Sequence, residues 1–196
     1  MSYVTDKFDE RVVKSLKEGG VGFMPADTVY GLSCRALNET AVERIYRFKY
    51  RFIGKPFIVL ISDTSQLKQL NININAAEAI EKYWPGSVTF VCDAPNSPEW
   101  LHRGTRTLAV RVPPTKQLRK LIKSVGPIVS TSANLYARKP ANSLSQAIDY
   151  FGEKIDFYVD VGEIDGLPST IVRLKNDKLE VLRQGAVKID EKEQIK

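Results

Sequence analysis

Histidine is almost missing from this chain: His102 is the single one in 196 residues. That excludes a multi-histidine metal centre, and a Ser-His-Asp mechanism would have to run through this one ring. Cysteine is nearly as scarce. Cys34 and Cys92 stand far apart and outside any Cys-x-x-Cys pattern, so a disulfide framework and a structural zinc site are both out. The Gly-x-x-x-x-Gly-Lys-Ser/Thr loop of P-loop enzymes does not occur. No apolar run approaches the roughly 20 residues of a membrane-spanning helix. The opening residues, Met1 to Lys7, lack the basic-then-apolar layout of a signal peptide, so a cytoplasmic location and no membrane partner are expected. Repeats, low-complexity tracts and linkers are absent too.

What remains is an ordinary globular composition, 43% hydrophobic and 27% charged. The length suits one domain, expected over residues 1–187, with a polar tail over 188–196. The net charge of +6 points to an anionic partner such as a nucleotide, RNA or an acidic surface. The surplus is uneven. Residues 44–55 hold five basic groups and no acid, and residues 102–123 hold seven and no acid. Two such blocks could converge into one electropositive groove, or be the solvated faces of two surface helices.

Periodicity predicts helices over Asp6–Glu18, Glu39–Lys49, Thr64–Leu70, Ala76–Trp84, Thr115–Val125 and Ser143–Phe151. Strands are predicted over Val21–Met24, Gly31–Ala36, Pro56–Ile61, Val88–Cys92 and Thr107–Val112, then Ile128–Thr131, Phe157–Val161, Thr170–Leu174 and Leu179–Leu182. Asp177-Lys178 reads as a hairpin turn. Interleaved strands and helices make the fold class α/β, with a twisted mixed parallel/antiparallel sheet.

Five segments place hydroxyl or basic residues at strand ends and in loops, where binding groups are displayed. Pro25 to Leu32 offers Asp27, Thr28, Tyr30 and Gly31; turn chemistry explains Asp27 and Gly31 but not Val29 or Tyr30. Lys49 to Pro56 puts Arg51 and Lys55 in a loop that could wrap a polyphosphate. Lys49 also suits a helix C-terminus. The interleaved aromatics there suit either base stacking or a core. In Thr107 to Pro113, Arg111 sits mid-strand among aliphatics, a costly burial unless paired. It reads either as half of an ion pair or as a group aimed at a ligand carboxylate. Ser130-Thr131-Ser132-Ala133-Asn134 follows a strand, the location that ligands of α/β sheets favour. Ser169, after a Gly/Pro turn, and Arg183, after the last strand, are weaker signals.

In order along the chain, PADTVYGL (25–32), KYRFIGKP (49–56), WPGSVTFV (84–91), TLAVRVP (107–113), STSAN (130–134), GLPSTIV (166–172) and VLRQG (181–185) resemble the YrdC-like family, the threonylcarbamoyl-AMP synthases. The chain ends soon after VLRQG, which suits the short, single-domain type. The resemblance implies a twisted mixed sheet with flanking helices and a basic concave groove. It implies that L-threonine, bicarbonate or carbon dioxide, and ATP become threonylcarbamoyl-AMP and pyrophosphate, for a separate tRNA threonylcarbamoyl transferase complex. It implies threonine on Thr28, Arg111, Ser130 and Ser169. ATP would lie on Arg51, Lys55, Thr107, Ser132 and Arg183, with Lys49 and Arg51 as catalytic groups by the phosphates. Magnesium would be held mainly by ATP, and contact with tRNA or double-stranded RNA belongs to the same expectation. The family usually has Thr where Ala26 stands, His where Leu60 stands, and Ser-Gly after STSAN, where this chain has Leu135-Tyr136. The competing readings are a non-catalytic RNA-binding module on the same groove, and a nucleotide-binding paralogue that has lost threonine.

Overall fold

Successive side chains of a strand point to opposite faces of its sheet, and an α/β chain buries the apolar ones beneath helices. The computed structural model describes residues 2–49, 54–73, 77–175 and 178–189. It contains one mixed sheet of ten strands in the order β1-β8-β2-β3-β7-β4-β6-β5-β9-β10. These are β1 (Tyr3–Thr5), β2 (Gly22–Pro25), β3 (Tyr30–Arg35), β4 (Ile58–Leu60), β5 (Val88–Asp93), β6 (Thr107–Arg111), β7 (Ile128–Ser132), β8 (Phe157–Val159), β9 (Thr170–Lys175) and β10 (Lys178–Arg183). The helices are α1 (Glu10–Lys17), α2 (Glu39–Lys49), α3 (Ala77–Tyr83), α4 (Glu99–His102), α5 (Lys116–Val125) and α6 (Leu144–Phe151). Pairs β1/β8, β2/β8, β4/β6 and β5/β9 are parallel and the other five antiparallel, so the sheet is mixed as expected.

The two faces are covered unequally. On one, Phe23, Leu32, Val59, Leu108, Val110 and Val172 pack into the main core. Over them lie Val42 and Ile45 of α2, Ile80 of α3, Leu101 of α4 and Phe151 of α6. On the other, Met24, Leu60, Ile128, Phe157 and Val159 pack against Val12 and Leu16 of α1 and Leu118, Leu121, Ile122 and Val125 of α5. Those two helices cover only part of their face. In β7, Ile128 lies under α5, whereas Ser130 and Ser132, two and four residues on along the same face, line an open groove.

Helix boundaries moved where capping overruled periodicity. The first helix starts at Glu10 rather than Asp6, because the Asp9 carboxylate accepts from the Arg11 and Val12 amides, both at 3.0 Å. Residues 3–5 are instead a strand that the sequence did not reveal, parallel to β8. Thr64–Leu70 is a 3-10 helix, and the four-residue α4 is too short to show a period. Ile189 is buried in the main core, so packing reaches into the segment expected to be tail. Asp177 of the expected hairpin turn lies outside the described residues.

Candidate active site

The open half of the second face holds a cavity of about 210 Å³. Thr28, Arg111, Ser130, Ser132, Ser169 and Arg183 all line it. Six of the ten residues singled out from the sequence thus meet in one place, although 155 positions separate Thr28 from Arg183. Ile58, Ala109 and Ile171 add an aliphatic floor. Thr107 does not line the cavity; it stands on β6 on the same face as Ala109 and Arg111, further along the groove. Lys55 is exposed and precedes Pro56, which does line the cavity. Arg51 lies outside the described residues.

Arg111 fits both readings of a buried strand arginine. Its side chain is 4% exposed, and its Nη1 donates to Asp27 Oδ2 at 2.9 Å. Nη2 donates to the Ala26 carbonyl at 3.1 Å. The pair is structural, yet the guanidinium still lines the cavity. Burial loosens Arg111's hold on its proton and the Asp27 carboxylate opposes that; a guanidinium stays charged regardless. Burial pushes the Asp27 carboxyl above the usual carboxylate range, while Arg111 and the Ser87 hydroxyl pull it back.

Ser169 is buried, and its Oγ lies 2.9 Å from Thr89 Oγ1, on a fully buried neighbouring strand residue. Arg183 Nη2 donates to the Ser169 carbonyl at 2.8 Å, tying the last strand to the Gly/Pro turn. Two glycines permit these close approaches. A Cβ on Gly31 would meet Ser130 Oγ at 2.8 Å, and one on Gly166 would meet the Thr28 carbonyl oxygen at 2.1 Å.

Lys49 supports the loop after β7. Its Nζ donates to the carbonyls of Ser132, at 2.5 Å, and Asn134, at 3.1 Å, and to Asn134 Oδ1 at 2.7 Å. Asn134 Oδ1 also accepts from Ser132 Oγ at 2.7 Å. Asn134 Nδ2 in turn donates to the carbonyls of Leu135 and Arg138, which fixes the loop that departs from the family pattern. Tyr30, unexplained by turn chemistry, is a fully buried anchor. It stacks on Phe23 with ring centroids 4.3 Å apart, accepts from the Val161 amide at 2.8 Å and donates to the Gly162 carbonyl at 2.7 Å.

Sequence reasoning missed Asp27 as a partner of Arg111, and it missed Thr89 and Asn134. Asn134 belongs to a singled-out segment, and the alternation of β5 puts Thr89 opposite Phe90. Leu60 is fully buried in the α1/α5 cluster on the strand beside Arg111, so an apolar core residue stands where the resemblance leads one to expect histidine.

The two basic blocks do not converge through their helices. Those of α2 lie on the main-core side and those of α5 on the other. Arg44 pairs with Asp156 at 2.9 Å, and Arg103 pairs with Glu43 while stacking 4.0 Å from the Tyr46 ring centre. A larger hollow of about 1150 Å³ between α1 and α5 has an apolar floor and a rim of both signs. It holds none of the expected ligand groups.

The site holds no ready nucleophile or imidazole. Burial holds the Cys92 thiol up at about 12 and raises Cys34 further, so both stay protonated. His102 is buried away from the cavity and accepts from the Gly104 amide at Nδ1, 3.1 Å away. Among the described residues no three His, Cys, Asp or Glu side chains cluster as metal ligands, and no helix is long and apolar enough to cross a membrane.

Residues 14–185 match the Sua5/YciO/YrdC family, described as telomere recombination. A threonylcarbamoyl-AMP synthase of Halorhodospira halophila is 38% identical over 156 residues, covering 78% of this chain and 81% of the relative. Among solved structures, P. abyssi Sua5 complexed with L-threonine superposes with a TM-score of 0.84 at 31% identity. That match covers 94% of this chain but 57% of the P. abyssi chain. E. coli YciO gives a TM-score of 0.79 at 27% identity, covering 94% and 96% of the two chains.

Proposed function

The chain belongs to the Sua5/YciO/YrdC family, and on that premise we propose that it is a threonylcarbamoyl-AMP synthase, a nucleotidyltransferase that supplies tRNA modification. The observation that carries this is the convergence of Arg111 and four hydroxyl side chains, Thr28, Ser130, Ser132 and Ser169, on one cavity. A guanidinium beside hydroxyls suits an amino acid that carries both a carboxylate and a hydroxyl. At about 210 Å³ the cavity is smaller than the ~300–1,000 Å³ of drug-sized pockets, which suits an amino acid, with a nucleotide in the open groove reaching it at Ser132 and Arg183.

In this assignment Thr28, Arg111, Ser130 and Ser169 hold threonine. Ser132, Arg183, Thr107, Lys55 and Arg51 hold ATP. Lys49 acts through the Ser132–Asn134 loop, whose backbone it fixes from below. The threonine amine adds to carbon dioxide, or to bicarbonate as water leaves, and gives up a proton to form a carbamate. A carbamate oxygen then bonds to the α-phosphorus as the bond to the β-phosphate oxygen breaks, and pyrophosphate departs. This chemistry needs alignment and cancellation of negative charge rather than an acid–base pair, in keeping with a site of Arg, Ser and Thr.

Magnesium fits as part of the nucleotide. Among the described residues no carboxylate lines the cavity, and Asp27, between the lining residues Ala26 and Thr28, is engaged by Arg111, so phosphate oxygens would hold the ion and it would offset their charge. The product would pass to a tRNA threonylcarbamoyl transferase in the cytoplasm. The test is pyrophosphate release by purified protein with ATP, magnesium, threonine and bicarbonate. Release should require both threonine and bicarbonate; no release, or release indifferent to threonine, would overturn the assignment.

A further inference from the structure

Asp27 stands behind the cavity rather than in it. It follows the end of β2 with φ at 65°, a left-handed conformation that aspartate tolerates better than most side chains. That backbone turns its side chain inward, where it is 5% exposed. One oxygen, Oδ2, takes Arg111 Nη1 at 2.9 Å and Ser87 Oγ at 3.2 Å. The other, Oδ1, is buried and has no hydrogen-bond partner among the described residues. The pair is thus single-pronged, not the two-pronged fork that a carboxylate and a guanidinium form when free to choose. Asp27 and the Ala26 carbonyl together engage one N–H each on Nη1 and Nη2, of the five N–H groups a guanidinium carries.

We propose that Asp27 is a positioning residue for amino-acid recognition: it clamps the Arg111 guanidinium from behind by one prong, leaving the other N–H groups for a carboxylate in the cavity. The inference rests on the assignment of threonine to Arg111. Ser87 completes the clamp by holding Asp27 from the β5 side, and Ala26 sets the guanidinium plane with its carbonyl. A forked pair would take one N–H more and leave fewer of the five for a ligand. The strained, half-used carboxylate instead keeps a charged donor both buried and available. Asp27 touches Arg111 and Ser87 and does not line the cavity, so its effect is expected on the amino acid rather than on the nucleotide.

The test is calorimetric titration of the full-length protein with L-threonine and, separately, with a non-hydrolysable ATP analogue. Asp27→Ala should weaken threonine binding at least tenfold and change binding of the analogue less than twofold. Asp27→Asn, which keeps an acceptor for Nη1 at the same place, should stay within about threefold of the wild type for threonine. Ser87→Ala should cost about threefold for threonine alone, and it decides the matter if Asp27→Ala does not fold. Unchanged threonine affinity in Asp27→Ala or, failing its folding, in Ser87→Ala overturns the inference. So does an equal loss for both ligands. If the wild type itself does not bind threonine, the parent assignment falls and takes this inference with it.

Discussion

The two faces of the sheet are built from the same strands and differ only in what covers them. On the main-core face β6 and the start of β7 are aliphatic: Leu108, Val110 and Val129 are all buried beneath the layer of α2, α3, α4 and α6. On the other face the same strands carry Thr107, Ala109, Arg111, Ile128, Ser130 and Ser132. Where α5 lies above, the residue is Ile128; along the open groove the same two strands present Thr107, Ala109, Ser130 and Ser132. Arg111 sits at the boundary, anchored by Asp27 and open to the cavity. One face is packed throughout and half of the other is the proposed recognition surface, so the two should respond differently to substitution.

The sharpest break comes at the boundary. Arg111→Ala removes one partner of a buried pair, which costs about 3–5 kcal/mol. It should also cut threonine-dependent pyrophosphate release at least a hundredfold, read by denaturant titration and by initial rates at varied threonine. On the packed face, Leu108→Ala should lower stability by about 2–5 kcal/mol, and the protein that remains folded should keep wild-type KM values for threonine and ATP. On the groove rim, Lys55→Ala should leave the melting temperature in place and raise the KM for ATP roughly tenfold, about 1.4 kcal/mol. Its KM for threonine should not move; a rise in the threonine KM instead would mean that the groove is not divided as assigned.

The smallest effect belongs to the helix that closes the covered half. Burial works against ionisation of Asp9, but hydrogen bonds from Tyr3, Val12, Thr5 and Arg11 outweigh it and hold the carboxyl below 3.8. A lowered folded-state value means that the cap contributes fully above the unfolded value, near 3.9. That contribution fades as the pH falls through the folded value. Asp9→Ala should cost about 1 kcal/mol at neutral pH. The gap from wild type should close as stability curves are followed below pH 4, with no change in activity at pH 7.

Short apolar runs between turn residues made the strands legible, and the α/β order follows from strands interleaved with helical stripes. Arg111 drew notice because a lone charge in an aliphatic strand needs a reason, and Ser130 to Asn134 because connectors seldom hold so many small polar groups. Less legible were features fixed by distant partners. The carboxylate that pairs with Arg111 is 84 positions away, and the turn that drew notice to Asp27 says nothing of its partner. The burial of Lys49 depends on a loop 83 to 85 residues further on. Strand β1 is three residues long and exists because β8 pairs with it, which no window of that size reveals. Which members of the basic blocks approach one groove was hidden for the same reason: charge along a chain does not say which side of a sheet its helices occupy.

The most direct measurement is a crystal structure of the protein soaked with L-threonine. Its carboxylate should lie within hydrogen-bond distance of the Arg111 guanidinium, with the hydroxyl or amine among Thr28, Ser130 and Ser169. Threonine bound in the hollow between α1 and α5, or on the open sheet away from Arg111, would contradict the division of labour between the two faces.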